Sequence, residues 1–250
     1  MKRVELIGLE GMAEIRPGDP IGPLICDACT RQQIDLTDDD VLVVAQKIIS
    51  KSEGRIVRLG AVKPSARAHE LGRQLDKEPE LVEVILGESR RVIRSGGRAL
   101  IVETHHGFVC ANAGVDQSNV GLKQVALLPK DPDRSARAIR GEIQRRLGKS
   151  PGVIVSDSFG RAWRLGTVDV AVGIAGFKPI KDERGGRDRY GYQLKAAFAA
   201  VADEIAAAAE LVMGKRAGIP VVIARGYETE KKEEASVQEL LRPEAEDLFR

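Results

Sequence analysis

The sequence is poor in the features that mark secreted, membrane-spanning and nucleic-acid-binding proteins. Three cysteines among 250 residues are too few, and odd in number, for a disulfide scaffold, and they favour a reducing cytoplasm. No uninterrupted apolar run reaches the roughly 18 residues of a transmembrane helix, and Glu5 and Glu10 fall where a signal peptide needs its apolar centre. The 39 basic and 37 acidic side chains lack the basic excess of a general nucleic-acid binder.

Aromatic residues are also scarce, with five Phe, three Tyr and one Trp. The core must therefore consist mainly of Val, Ile, Leu and Ala. A hydrophobic content of 43% is typical of a soluble globular protein. The length suits one large domain or two small ones. Because no linker is visible, we expect residues 1–250 to form a single unit.

Short β-branched runs alternate with helical patterns along the chain. The runs at residues 4–7, 41–45, 99–102, 125–128, 153–155, 168–174 and 221–224 predict strands. Helical spacing predicts helices beginning at Asp19-Pro20, over 136–147, and over 193–213 with Gly214 as the C-cap. This mixture predicts a mixed α/β (α+β) fold. The charged segment from Glu228 to Arg250 predicts a solvated helix or a frayed tail.

Three loops are rich in Gly, Asn, Asp and Ser where a strand or helix ends. Residues 105–119 contain Asp116, and residues 155–161 place Asp157 and Ser158 directly after an apolar strand. Carboxylate and hydroxyl oxygens in such positions can hold Mg²⁺. The third loop, 213–220, is basic and contains glycine, so it could meet phosphate oxygens. In the alternative interpretation, these residues only satisfy their own turns.

Other candidate sites are weaker. Gly148-Lys149-Ser150 follows a helix instead of a strand and lacks the spacing of a P-loop, and no dinucleotide-binding glycine fingerprint is present. His105 and His106 are adjacent, so in a strand they would face opposite ways and could not share a metal. Cys26 and Cys29 fit packing within a helix. His69 is expected at a helix surface, and Cys110 has no evident base to activate it.

Six longer motifs follow one another along the chain: GMAEIRPGD at 11–19, VLVVAQKIISKSEGR at 41–55, HGFVCANAGVDQSN at 106–119, SDSFGRAWR at 156–164, ELVMG at 210–214 and GIPVVI at 218–223. Together, in this order, they resemble the coenzyme F420 γ-glutamyl ligase family. The resemblance runs essentially from end to end. It implies a two-lobed, homodimeric α/β fold without a P-loop or Rossmann fingerprint.

The resemblance also implies an activity: GTP-dependent addition of L-glutamate to the coenzyme F420 precursor through an acyl phosphate. It implies Mg²⁺ or Mn²⁺ as cofactor, with K⁺ as a further ion. The residues implied as metal ligands are Asp116, Asp157 and Ser158, the two aspartates also being catalytic. Those implied to contact GTP are Gly11, Met12, Ala13, Gln46, Lys51, Asn119, Met213, Gly214, Lys215, Arg216, Ala217, Gly218, Ile219 and Pro220.

Two positions depart from the family pattern, and the precursor contacts are a separate expectation. Lys215 stands where the family can have a metal-binding Gln; since an ammonium has no lone pair, we expect it to contact phosphate. His105 replaces an expected basic residue. We expect Arg161, Trp163 and Arg164 to contact the precursor, because a ring can stack on indole or guanidinium, although Trp163 could equally be core.

Two functions remain as alternatives to the ligase. The same carboxylates could serve a metal-dependent nucleotide phosphohydrolase, in which water replaces glutamate, or the site could belong to a non-enzymatic GTP-sensing module. The chain ends near residue 250. We therefore expect the short ligase form without a C-terminal flavin-binding domain.

Overall fold

The computed structural model describes residues 2–248. Their strands are β1 (Glu5–Gly8), β2 (Val41–Ala45), β3 (Ile56–Arg58), β4 (Ser89–Gly96), β5 (Ala99–Thr104), β6 (Val109–Ala111), β7 (Gln124–Ala126), β8 (Gly152–Arg161), β9 (Arg164–Phe177), β10 (Lys181–Asp182), β11 (Phe198–Ala199), β12 (Val221–Arg225) and β13 (Lys231–Lys232). The α-helices are α1 (Ile21–Arg31), α2 (Gln46–Ser52), α3 (Ala66–Leu75), α4 (Pro79–Gly87), α5 (Pro132–Leu147) and α6 (Val201–Met213). The mixed α/β fold class is confirmed, and each predicted strand overlaps an observed one.

A six-stranded sheet in the order β1-β12-β2-β8-β9-β13 forms the centre of the larger hydrophobic cluster. Strands β2 and β8 are parallel, whereas the other neighbours are antiparallel. Helix α5 packs on β8 and β9, and α6 packs on β9 and β12. Gly173 allows the close approach of α5, because a Cβ there would lie 2.5 Å from the Pro132 carbonyl. Apolar β-branched residues dominate this core, as the scarcity of aromatics predicts.

A smaller cluster forms a second packed region. It contains α3, α4 and the three-stranded sheet β4-β5-β6, with side chains such as Leu75, Ile85 and Val102 at its centre. The two-stranded β3–β7 sheet contributes Val57 and Val125 to the same cluster. The described residues therefore pack around two hydrophobic centres.

The start of α1 differs from the prediction. The sequence predicts Asp19 as the N-cap and Pro20 as the first helical residue, but Pro20 is the N-cap and the helix begins one residue later, at Ile21. The Asp19 carboxylate is already used in the preceding turn, where it accepts from the Arg16 amide at 2.7 Å. The free amide of Gly22 instead donates to Glu142 of α5, at 2.9 Å. A distant side chain therefore replaces the local cap.

Helix α6 begins later than predicted, at Val201 instead of residue 193. Although residues 193–200 have good helix formers, Phe198–Ala199 pairs with Lys181–Asp182 as a short antiparallel ladder. Asp203 and Glu204 lie in the first turn, where their charges suit the helix dipole. The predicted end is confirmed: the helix ends at Met213 with Gly214 as C-cap.

The segment from Glu228 is neither a solvated helix nor a frayed tail as far as residue 248. Strand β13 pairs with β9, and Ala235 and Val237 are buried in the larger core. The backbone amide of Val237 donates to the buried carboxylate of Asp133, which also accepts from Ser236 at 2.7 Å. The prediction was wrong because the buried residues Ala235 and Val237 lie within a run of charged residues. Phe249 and Arg250 lie outside the described residues.

Several local predictions are resolved by the same fold. His105 and His106 lie in the turn after β5, not in a strand, and their rings contact different carbonyls, those of Gly87 and Pro129. Cys26 and Cys29 are buried within α1, as packing residues should be. Among residues 2–248, no helix has the length and apolar character that crossing a membrane requires.

Candidate active site

A cleft of about 430 Å³ opens beyond the point where β2 ends and α2 begins. Its walls come from the loop before α1, the β2–α2 junction, the loop before β7, the middle of the β8–β9 hairpin and the loop between α6 and β12. Since β2 pairs in parallel with β8, Ala45 lies opposite Ser156. The polar residues that follow each of these two strand segments therefore meet at one edge of the sheet.

Most of the predicted site residues line this one cleft. They are Met12, Ala13, Gln46, Lys51, Asp116, Asn119, Asp157, Ser158, Met213, Gly214, Lys215, Arg216, Gly218, Ile219 and Pro220. Gly11 and Ala217 belong to the same loops but do not line it. Arg161, Trp163 and Arg164 lie at the tip of the β8–β9 hairpin, where Trp163 is 82% exposed and thus not a core residue.

Among the carboxylates of the cleft, Asp157 is the one whose negative charge is most disfavoured by its surroundings. Its pKa is raised to about 7, chiefly by burial and then by the negative charges of Asp169 and Asp116. A hydrogen bond from the Ser158 backbone and the charge of Lys215 oppose this shift. A carboxylate held among like charges would gain strongly from a bound cation.

Asp116 already has a cationic partner. Lys47 Nζ lies 2.6 Å from its Oδ2, and the Ser118 amide donates to Oδ1 at 2.7 Å. Although burial opposes its ionisation, these contacts hold the pKa of Asp116 below its ordinary value. The residue is fixed in space by pairing of its own backbone with that of Ala126. Asp116 is therefore an ionised carboxylate that is held in a fixed position in the cleft.

A third carboxylate, Asp169 of β9, lies opposite Ser158 of β8. It is only 5% exposed, and it accepts hydrogen bonds from Ser156 at 2.9 Å and Ser158 at 2.6 Å. Lys215 from the α6–β12 loop donates to Ser158 from the cleft side. The Ser158 hydroxyl therefore lies between the buried Asp169 carboxylate and the Lys215 ammonium.

The basic wall of the cleft is built from loops and the first turns of α2. Lys51 forms an ion pair with Glu14, from the loop before α1. The Asn119 side chain donates to the Lys215 carbonyl at 3.3 Å. Gly214 and Gly218 have φ angles of 52° and 70°, in the region that favours glycine. The cleft therefore combines lysines and exposed loop amides with a group of aspartates. This combination suits a ligand that carries several phosphates.

Comparisons with known proteins show the family of this chain. A family model described as F420-0:Gamma-glutamyl ligase matches residues 11–226. The coenzyme F420:L-glutamate ligase of Methanothermobacter thermautotrophicus is 48% identical over 249 residues, covering 99% of both chains. Proteins of the same name from Methanocaldococcus jannaschii and Archaeoglobus fulgidus are 42% and 43% identical; the alignments cover 100% and 99% of this chain and 98% and 97% of theirs. This chain belongs to the F420-0:γ-glutamyl ligase family.

The oxygen donors of the cleft suit a metal ion that also binds water and phosphate better than one held by protein ligands alone. Within residues 2–248, no three His, Cys, Asp or Glu side chains converge as a metal cage. Asp116, Asp157 and Ser158 nevertheless supply hard oxygen donors around one cleft. Mg²⁺ typically binds through one or two carboxylates and completes its shell with water and substrate phosphates. The residues fit such a phosphate-bridged ion and do not fit an all-protein cage.

The cleft of the ligase contains five polar residues that sequence reasoning missed: Glu14, Lys47, Ser156, Asp169 and Glu210. Asp169 had a readable signal, because it is the single charge within the apolar run from Val168 to Phe177. Such a charge is expected to be buried and partnered. Lys47 and Glu14 lie inside the recognised motifs but have no spacing that predicts their partners.

A cysteine nucleophile has no place in this site. Burial raises the pKa of Cys29 to about 11 and that of Cys110 to about 12. Both thiols are buried in the larger core and are free. Neither lines the cleft, so the sequence-based exclusion of a thiol mechanism agrees with the fold.

Proposed function

We propose that this chain catalyses GTP-dependent addition of L-glutamate to the coenzyme F420 precursor, forming a γ-linked amide through an acyl phosphate. Family membership supports the ligase class and the acceptor. The observation that carries the finer proposal is one cleft lined both by three aspartates and by Lys47, Lys51 and Lys215. Such a cleft can hold a polyphosphate and offset the charge that develops during phosphoryl transfer.

Each wall of the cleft has a role in this proposal. The loop at 11–14 and the loop from Met213 to Pro220 hold the nucleotide, with Gln46 and Asn119 at its polar edges. Lys51 and Lys215 neutralise phosphate oxygens. Asp116 and Asp157, with Ser158, would hold a divalent cation, Mg²⁺ or Mn²⁺. When bound, that ion supplies Lewis-acid stabilisation of the phosphate charge.

The chemistry needs no protein nucleophile. A carboxylate oxygen of the precursor attacks the γ-phosphorus of GTP, and the bond to the β-phosphate oxygen breaks, releasing GDP. The amine of glutamate then attacks the acyl carbon, and inorganic phosphate leaves as the amide forms. One proton is lost from the amine during this second step. The chain contributes orientation and charge stabilisation, the two effects that dominate phosphoryl transfer.

The remaining expectations belong to the same proposal. We infer a homodimer, a cytoplasmic location and K⁺ as a further ion from the family resemblance. Arg161, Trp163 and Arg164 form an exposed basic and aromatic group at the hairpin tip beyond the cleft. We propose that this group contacts the precursor, because an indole and two guanidinium groups can stack on a planar ring system.

Mass spectrometry of the precursor after incubation with protein, GTP, Mg²⁺ and L-glutamate tests the proposal. The precursor is expected to gain the mass of at least one glutamyl unit, with one GDP and one phosphate released per unit. Replacing GTP by ATP tests the nucleotide preference, and adding a chelator tests the metal. No gain in mass with an authentic precursor would contradict the ligase proposal.

Phosphate release separates the two other functions. A ligase releases phosphate in step with amide formation, and only when both precursor and glutamate are present. A phosphohydrolase would release it from GTP alone, while a sensing module would bind GTP and release almost none. Two reactions, one with GTP alone and one with GTP, precursor and glutamate, therefore distinguish the three functions.

A further inference from the structure

Asp169 is a buried charge with neutral partners. Its Oδ2 accepts from the Ser156 hydroxyl and its Oδ1 from the Ser158 hydroxyl, and the side chain is 5% exposed. Burying a carboxylate is costly unless it is well hydrogen-bonded or paired with a cation. For comparison, the buried Asp40 has the Arg225 guanidinium at 2.8 Å. Among residues 2–248, Asp169 reaches a positive charge only through Ser158.

The direction of each hydrogen bond in this chain is fixed by chemistry. A serine hydroxyl has one proton and two lone pairs, whereas an ammonium group can only donate. Since Lys215 Nζ contacts Ser158 Oγ, the hydroxyl must accept from the lysine and give its own proton elsewhere. That proton goes to Asp169, which lies directly across the hairpin. The carboxylate thus orients the hydroxyl toward the lysine.

The backbone of Lys215 has a separate anchor. Its carbonyl accepts from the Asn119 side chain, which comes from the loop before β7. The preceding residue, Gly214, lies in the left-handed φ region, as does Gly218. A lysine side chain has four flexible torsions, and ordering it in the open costs rotamer entropy. Fixing both its carbonyl and its ammonium lowers that cost before a ligand binds.

We propose that Asp169 is a positioning residue, which holds the Lys215 ammonium over the cleft through Ser158, ready for a nucleotide phosphate. The assignment of phosphate as the ligand rests on the proposed function above. The anchoring of Lys215 by Asp169 does not, because it concerns the protein without ligand. Asp169 touches neither the nucleotide nor the reacting atoms in this account.

Amine labelling of the nucleotide-free protein tests the anchor directly. Brief acetylation, read by peptide mass spectrometry, measures how fast each lysine reacts. Asp169→Asn is expected to raise the rate at Lys215 several-fold, because a neutral amide holds the Ser158 proton less strongly than a carboxylate does and so weakens the bond to the ammonium. Lys123, an exposed lysine paired with Glu78, is the internal control and should not change. An unchanged rate at Lys215 would overturn the proposal.

Nucleotide binding tests the consequence. GDP affinity is measured for the wild type, Asp169→Asn, Lys215→Ala and the double variant, with guanosine as the uncharged control. We expect Asp169→Asn to weaken GDP binding about tenfold, the scale of a hydrogen bond to a charged group. In the Lys215→Ala background the same change should have less than a twofold effect, and guanosine affinity should not change. Additive losses would show that Asp169 acts independently of the lysine, against the proposal.

Two further variants protect the interpretation. Asp133→Asn is the matched control, since it removes another buried aspartate that accepts from a serine, far from the cleft. It should lower stability without changing GDP affinity. If Asp169→Asn fails to fold, Ser158→Ala breaks the same link and should give the same labelling change. Faster labelling together with no GDP binding by the wild type would contradict the nucleotide site while supporting the anchor.

Discussion

The two ends of the central sheet use buried aspartates in opposite ways. At the end where β2 begins, Asp40 is 1% exposed and both its oxygens accept from Arg225 at 2.8 Å. Burial disfavours its charge, but the bonds from Arg225 and the Thr37 amide hold its pKa below the ordinary value. At the end where β2 leaves the sheet, the like charges of Asp116 and Asp169 help burial raise the pKa of Asp157 to about 7.

The difference lies in whether the fold itself supplies the cation. Asp40 has a built-in guanidinium, so its charge stabilises the folded chain. Asp157 lies beside other carboxylates, and the hydrogen bond from Ser158 and the charge of Lys215 offset only part of the rise in its pKa. Groups kept in such a state mark functional sites more often than structural ones. Sequence alone does not separate the two, since each aspartate adjoins an apolar strand segment.

The largest expected effect is on catalysis at the cleft. Asp157→Asn and Asp116→Asn should each lower ligation by more than about a hundredfold, because even outer partners of metal ligands contribute that much. The measurement is the rate of glutamyl addition at saturating GTP and Mg²⁺. Circular dichroism should show an intact fold in both. Metal-dependent turnover at the wild-type rate in either variant would refute the metal assignment.

The next largest effect is on stability at the opposite end. Asp40→Ala should lower the free energy of unfolding by about 3 kcal/mol, since it leaves the Arg225 guanidinium without its carboxylate. Asp157→Asn, measured in the same urea titration without metal, should leave stability unchanged or raise it, because it removes a repelled charge. Equal destabilisation by both changes would show that the two ends do not differ.

The pH dependence of stability should follow from the lowered pKa of Asp40. Because its folded pKa lies below the unfolded value, its stabilising contribution is complete above the unfolded pKa, about 3.9. The contribution is lost as the pH falls through the folded pKa. The stability difference between wild type and Asp40→Asn should therefore be constant from pH 8 to about pH 5 and shrink in stronger acid. A difference that grows on acidification would contradict this sign.

The smallest effect on stability is expected at the hairpin tip, where β8 and β9 extend beyond the cleft. Trp163 is 82% exposed, so Trp163→Ala should change the free energy of unfolding by less than about 0.5 kcal/mol. Phe159, in the same hairpin, packs edge-on against Phe108 with 6.1 Å between the ring centroids. Phe159→Ala should therefore lower the free energy of unfolding clearly more than Trp163→Ala does. If Trp163 contacts the precursor, its variant should instead raise the KM for that substrate.

Much of the fold and site could be read from local sequence. The runs at residues 41–45 and 221–224 are too short and too β-branched for helices, and both are strands. The loops that contain Asp116 and Lys215 were recognisable because their Gly, Asn and Ser content breaks the neighbouring elements. Asp157 and Ser158, predicted to follow the strand, lie within β8, because pairing with β9 extends that strand to Arg161. Boundaries failed where a distant partner decided them, as with Glu142 at the start of α1 and Asp133 under the C-terminal segment.

The sequence by itself determined the mixed α/β class, the positions of the principal strands and the loops that carry polar groups. These follow from side-chain size, β-branching and backbone freedom, which act over a few residues. Only the tertiary structure decided that Asp169 faces Ser158, that Lys47 pairs with Asp116, and that Arg225 takes up Asp40. Such pairings depend on strand register and chain crossing, and electrostatic interactions weaken with distance through space, whatever the separation along the chain. The net charge of the whole chain is near zero. At one end of the sheet the fold pairs the buried carboxylate with a cation, whereas at the other end it leaves the charges of the aspartates unbalanced.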